Sequence, residues 1–136
     1  MAYVQSEMVN QWLVVGFRSE RLTDPLTVQT IGQELSPLIS DLPAKGQLVI
    51  NFDGVESVSS QVIGLLIGLR EQIGRKKGKL VLCKLSKQVL NLMRVTKLDR
   101  QFTFTDDLTT LIGTQPTAGG RIQSLIPSSR EVQWVN

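Results

Sequence analysis

Residues Leu48 to Leu69 read LVINFDGVESVSSQVIGLLIGL, and the fold turns on this stretch. Gln47 to Phe52 (QLVINF) is a short apolar run bounded by turn signals, the pattern of a strand buried on both faces. Asp53-Gly54 closes it. Ser59-Ser60 then precedes Gln61 to Ile73, an apolar stretch of helical length. Gly74 is the expected C-terminal cap, with the basic loop Arg75-Lys76-Lys77-Gly78 beyond it. A strand, a short link and a helix in that order put Ser59 and Ser60 past the carboxyl end of the strand. Open α/β sheets meet ligands and partners there.

The alternation continues on both sides. Upstream, Val4 to Met8 and Trp12 to Phe17 read as strands separated by Val9-Asn10-Gln11, with Asn10 suited to a turn. Thr23-Asp24-Pro25 marks a helix start, and Leu26, Val28, Ile31, Leu35, Leu38 and Ile39 keep helical spacing. Pro37 inside that pattern predicts a kink or an early end. Downstream come a strand over Lys79 to Cys83, a helix over Leu85 to Val95 with Ser86 as its cap, and a short strand over Phe102 to Phe104. Asp106 to Ile112 reads as a short last helix with acidic residues at its start. The expected architecture is α/β: a mixed, mostly parallel sheet of about four to five strands packed against about four helices.

From residue 114 to 136 Gly, Pro, Thr and Ser are frequent and no periodicity holds. These residues read as a tail, partly flexible or docked through Leu125-Ile126 or Trp134, outside a domain spanning residues 1–113.

Composition narrows the chemistry. The 136 residues are 41% hydrophobic and 20% charged, a folded domain's balance. A net charge of +3, with both signs interspersed, gives no reason to expect nucleic-acid binding. There is no histidine and one cysteine, Cys83, in an apolar run. That leaves no basis for a zinc site or for a Ser-His-Asp or Cys-His nucleophile, and no cofactor is expected. The longest apolar run, Val62 to Leu69, is far short of the ~20 residues of a membrane span. Residues Met1 to Glu7 lack a signal-peptide pattern, and the lone cysteine fits a reducing compartment, so a cytoplasmic location is expected.

A serine at a helix start can serve two ends. Its hydroxyl can cap the first turn, a contribution of about 1 kcal/mol. A phosphate placed there would meet unpaired N–H groups and the positive end of the helix dipole. Phosphorylation adds about −1.5 to −2 charge, enough to change the sign of the surface a partner meets. Ser60 fits the cap position. Asp53 reads equally as a plain strand-end turn residue or as part of such a surface. Gly64 and Gly68 mark either a smooth contact face or close packing onto the sheet.

On these residues the stretch Val49 to Phe104 resembles the STAS domain of bacterial anti-sigma-factor antagonists. The family's pattern is a strand ending in Asp, then Asp-Ser-Ser/Thr-Gly-Leu-Gly opening a helix. Asp53 corresponds to the strand-end Asp, Ser60 to the serine phosphorylated in the family, and Ile63-Gly64 to the Leu-Gly pair. Gly78 to Cys83 matches the following strand and its entry, and Val95 to Asp99 the link before the last strand. With the first two strands and the first helix, the resemblance spans residues 1–113. Three positions depart from it: Ser59 replaces the acidic residue, Gln61 the second Ser/Thr, and Val62 the glycine.

The resemblance implies a non-enzymatic regulator that binds a serine-kinase anti-sigma factor. The kinase phosphorylates Ser60, which ends the complex, and a phosphatase resets it. Ser59 is the second candidate acceptor. Asp53, Ser59, Gln61, Val62 and Gly64 are the implied partner-binding residues. The alternative is a STAS scaffold or sensor that binds constitutively, alone or as a homo-oligomer, without phosphorylation. The loss of the acidic residue at Ser59 favours it. A small ligand or nucleotide is a weaker option, since no phosphate-cradling Gly-rich loop is present.

Overall fold

The computed structural model describes residues 3–106 and residue 108. Its strands are β1 (Val4–Val9), β2 (Trp12–Phe17), β3 (Arg21–Leu22), β4 (Gln47–Asn51), β5 (Ser57–Val58), β6 (Lys79–Cys83) and β7 (Thr103–Thr105). The helices are α1 (Pro25–Ser40), α2 (Ser60–Arg75) and α3 (Lys87–Val95). The main sheet has the order β1-β2-β4-β6-β7. β1 and β2 are antiparallel, and β2, β4, β6 and β7 run parallel. The expected last helix, Asp106 to Ile112, and the tail lie almost wholly outside the described residues.

The antiparallel start follows from a two-residue turn. Asn10 and Gln11 both have positive φ, 51° and 74°, as the tightest hairpins require. Every later strand of the main sheet enters through a helix, which forces the parallel pairing. The sheet is buried on both faces, so the central strands read as continuous apolar runs. Leu13, Val15, Leu48, Ile50 and Leu82 point to one face and pack with Val28, Ile31, Leu35 and Ile39 of α1 and Ile63, Leu66 and Leu69 of α2. Trp12, Val14, Val49, Val81 and Cys83 form the opposite face with Leu108.

Three expectations change. Pro37 neither stops nor shortens α1, which runs to Ser40. It stands in the last turn, where one missing N–H is the whole loss, and its own carbonyl accepts from Asp41 N–H at 3.0 Å. Gly74 is not a cap but lies within α2. The chain leaves α2 at Lys77 (φ 61°), with Lys77 N–H donating to Gly74 O at 2.9 Å and Gly78 N–H to Ile73 O at 2.9 Å, the Schellman arrangement. The glycine is needed one residue later: a Cβ on Gly78 would sit 2.1 Å from the Gly46 carbonyl oxygen. Finally, β3 and β5 pair as a separate two-residue ribbon, too short to leave a pattern in the sequence.

Candidate functional site

The site is built where β4 hands over to α2. Asn51, at the end of β4, is 2% exposed. Its Oδ1 accepts from Asp53 N–H at 3.0 Å and from the Cys83 thiol at 3.7 Å. Phe52 N–H donates to Cys83 O at 2.9 Å, carrying the β4–β6 ladder one residue further. Gly54 turns the chain at φ 87°, a left-handed conformation that glycine adopts without strain. Glu56 N–H then donates to Glu20 O at 2.7 Å, and Ser59 N–H to Leu22 O at 3.0 Å. The chain is thus tied along β3 up to Ser59, and the helix starts directly after it.

That tie moves the cap. Ser59, not Ser60, is the N-cap of α2, with extended φ −94° and ψ 170°. Ser60 is the first helical residue. Ser59 accepts no bond from the first turn through its side chain, and its Oγ is buried without a hydrogen-bond partner. The hydroxyls of the pair therefore differ: Ser60 is an exposed residue, Ser59 holds its oxygen inside.

The other expected contact residues divide. Gln61 and Gly64 are exposed in the first turns of α2, and Asp53, in the loop after β4, is half-buried. Val62 is only 3% exposed and packs in the main core, so it supports the helix from beneath and is withdrawn from the contact surface. Gly64 and Gly68 do not pack on the sheet. Both are exposed, and a Cβ at either would meet nothing within 4 Å. They line a shallow groove of about 430 Å³ between α1 and α2 with Gly32, Ser36 and Leu65.

Sequence reasoning missed one supporting residue. Ser86 was expected only as the cap of α3, and it is: its Oγ accepts from Val89 N–H at 3.1 Å. The same hydroxyl donates to Glu56 O at 3.0 Å and so braces the loop that leads into α2. That partner is 30 residues away, and no local pattern announces it.

Cys83 is an inert core group. Burial pushes its thiol up from 9.0 to about 12, with Asp53 and Asp106 adding to the rise and Lys84 opposing it. It stays protonated at any ordinary pH. Among the described residues no group of three or more candidate ligands gathers to hold a metal, and no helix is long and apolar enough to cross a membrane.

Comparison with curated proteins returns no match. Solved structures do match. An anti-sigma-factor antagonist (STAS) domain protein from Planctomyces limnophilus superposes with a TM-score of 0.70 at 20% identity, covering 86% of this chain and 95% of that one. The anti-sigma factor antagonist SpoIIAA in its unphosphorylated form gives 0.63 at 20% identity, covering 82% and 98%. The Bacillus cell fate determinant SpoIIAA in its phosphorylated form gives 0.59 at 19%, covering 79% and 96%. At such identities the likeness establishes a shared fold. Family membership rests on the sequence itself: residues 14–111 match the STAS domain, and the chain belongs to that family.

Proposed function

We propose that this protein is an anti-sigma-factor-antagonist type regulator that catalyses nothing itself and switches partners through phosphorylation of Ser60. The observation that carries the reading is the contrast at the start of α2. Ser60 is exposed in the first turn of a 16-residue helix, whereas the Ser59 hydroxyl is buried. A kinase needs an accessible hydroxyl, and a phosphate on Ser60 would lie at the positive end of α2. SpoIIAA, which shares the fold, has both unphosphorylated and phosphorylated forms, and this supports a switch here.

The partner in this reading is a serine-kinase anti-sigma factor in the cytoplasm, with a phosphatase to reset the cycle. Asp53, Gln61 and Gly64 supply contact surface around the acceptor. Phosphate on Ser60 would place about two negative charges at the start of α2 and expel a partner fitted to the uncharged serine.

The test is the affinity of the cognate kinase for wild type and for Ser60→Asp. The switch predicts a loss of about 30-fold or more, roughly 2 kcal/mol. Equal affinity would favour a constitutive scaffold, the reading that Ser59 in place of an acidic residue supports.

A further inference from the structure

The basic loop after α2 takes no part in the switch, and it does not stand alone. Two loops meet at the end of the sheet opposite Ser60. One follows α1 and carries Lys45; the other follows α2 and carries Arg75, Lys76 and Lys77, with Lys79 opening β6. They are zipped together. Lys45 N–H donates to Lys76 O at 2.7 Å, Lys79 N–H donates to Gly46 O at 3.0 Å, and Gly46 and Gly78 touch backbone to backbone. Ser60 and Arg75 lie at opposite ends of α2, about 22 Å apart along a helix that rises ~1.5 Å per residue.

Helix C-termini favour cations, and that accounts for Lys76 and for Arg75 in the last turn of α2. Lys76 lays its ammonium on the end of α1, donating to Leu42 O at 2.7 Å and Ser40 O at 3.4 Å. Lys45, Arg75, Lys77 and Lys79 are exposed, and none forms an ion pair with a carboxylate among the described residues. Asp41 and Glu71 are the nearest carboxylates in sequence, and neither is paired with them. Lys45 and Lys77 also hold positive φ, 64° and 61°, so their backbones are fixed and their side chains leave from set points. Five cations against one carboxylate over residues 41–46 and 75–79 exceed the whole chain's net charge of +3.

We infer that this basic pole is a second docking surface, for a protein that presents a cluster of Asp and Glu. The choice of partner follows from three features. Among the described residues the large exposed apolar ones are Met8, Leu26 and Val95, none of them in the patch, so the two loops offer no apolar anchor for a bilayer. Outside the two loops both signs are interspersed and the chain carries only +3, without the extended basic stripe that tracks a phosphate backbone. The loop–loop bonds gather the five cations at one end of the sheet, a concentration of positive potential that complements clustered carboxylates. The surface is independent of the Ser60 switch.

The test uses the full chain and fluorescent poly-L-glutamate as the acidic probe, at low and high salt. The neutralised variant is Lys45→Asn, Arg75→Gln, Lys77→Asn and Lys79→Gln, with Asn at the two positive-φ sites because it tolerates them. Wild type is expected to bind, with affinity falling steeply as salt rises. The variant, checked for an unchanged circular dichroism melt, is expected to bind about tenfold or more weaker. Ser60→Asp is expected to bind like wild type. Binding by the neutralised variant within about twofold of wild type overturns the proposal. So does tighter binding of wild type to phosphatidylserine-rich vesicles or to a DNA duplex than to poly-glutamate. A loss of probe binding in Ser60→Asp would deny the independence of the two surfaces.

Discussion

Helices α2 and α3 both begin after a serine in extended conformation, yet only one serine is used. Ser86 caps α3 through Val89 N–H and also braces the Glu56 carbonyl. Ser59 occupies the same position before α2 and bonds to nothing through its side chain. Asp24 caps α1 through Thr27 N–H at 2.9 Å, so α2 is the exception among the three described helices. The far end of α2, by contrast, is closed by a full Schellman turn. Among the described helices the side-chain cap is absent only at the start of α2, next to an exposed serine. That pattern fits a surface meant to accept a new group.

The comparison can be broken at several points. Gly78→Ala, at the well-closed end of α2, is expected to cost the most, about 3 kcal/mol by chemical denaturation, because its Cβ would clash with the Gly46 carbonyl. A cost under about 1 kcal/mol would mean the two loops separate easily. Ser86→Ala is expected to cost between about 1 and 2 kcal/mol, since one hydroxyl makes two bonds.

Ser60→Asp is expected to change stability by under about 0.5 kcal/mol, on the stabilising side at low salt, as a negative charge in the first turn should. This separates its effect on binding from any effect on folding. Ser59→Ala is expected to be neutral or to stabilise by a few tenths of a kcal/mol, since it removes an unpartnered buried hydroxyl. If Ser59→Ala costs as much as Ser86→Ala, the contrast between the two helix starts is void.

Much of this was legible in the sequence because the signals are local. Strand β6 falls on Lys79–Cys83 as its apolar run predicts, and α1 begins at Asp24-Pro25 as its cap predicts. What the sequence hid depends on partners far along the chain. The β3–β5 ribbon is two residues long on each side, and only pairing across 36 positions gives it form. That ribbon holds the chain to Ser59 and so shifts the helix start by one residue from the expected cap at Ser60. Val62 came in as a contact residue only through the resemblance, and helical geometry turns it under into the core. Glu34 gave no sequence signal either, and its carboxylate accepts from the N–H groups of Tyr3 and Val4 at the start of β1.

In the proposed switch the exposed Ser60, and not Ser59 with its buried hydroxyl, accepts the phosphate. Site-resolved mass spectrometry after incubation with the cognate serine-kinase anti-sigma factor and ATP tests it most directly. Phosphate is expected on Ser60 alone, with Ser59→Ala still modified and Ser60→Ala not. Phosphate on Ser59, or on neither serine while the kinase modifies another substrate, would contradict it.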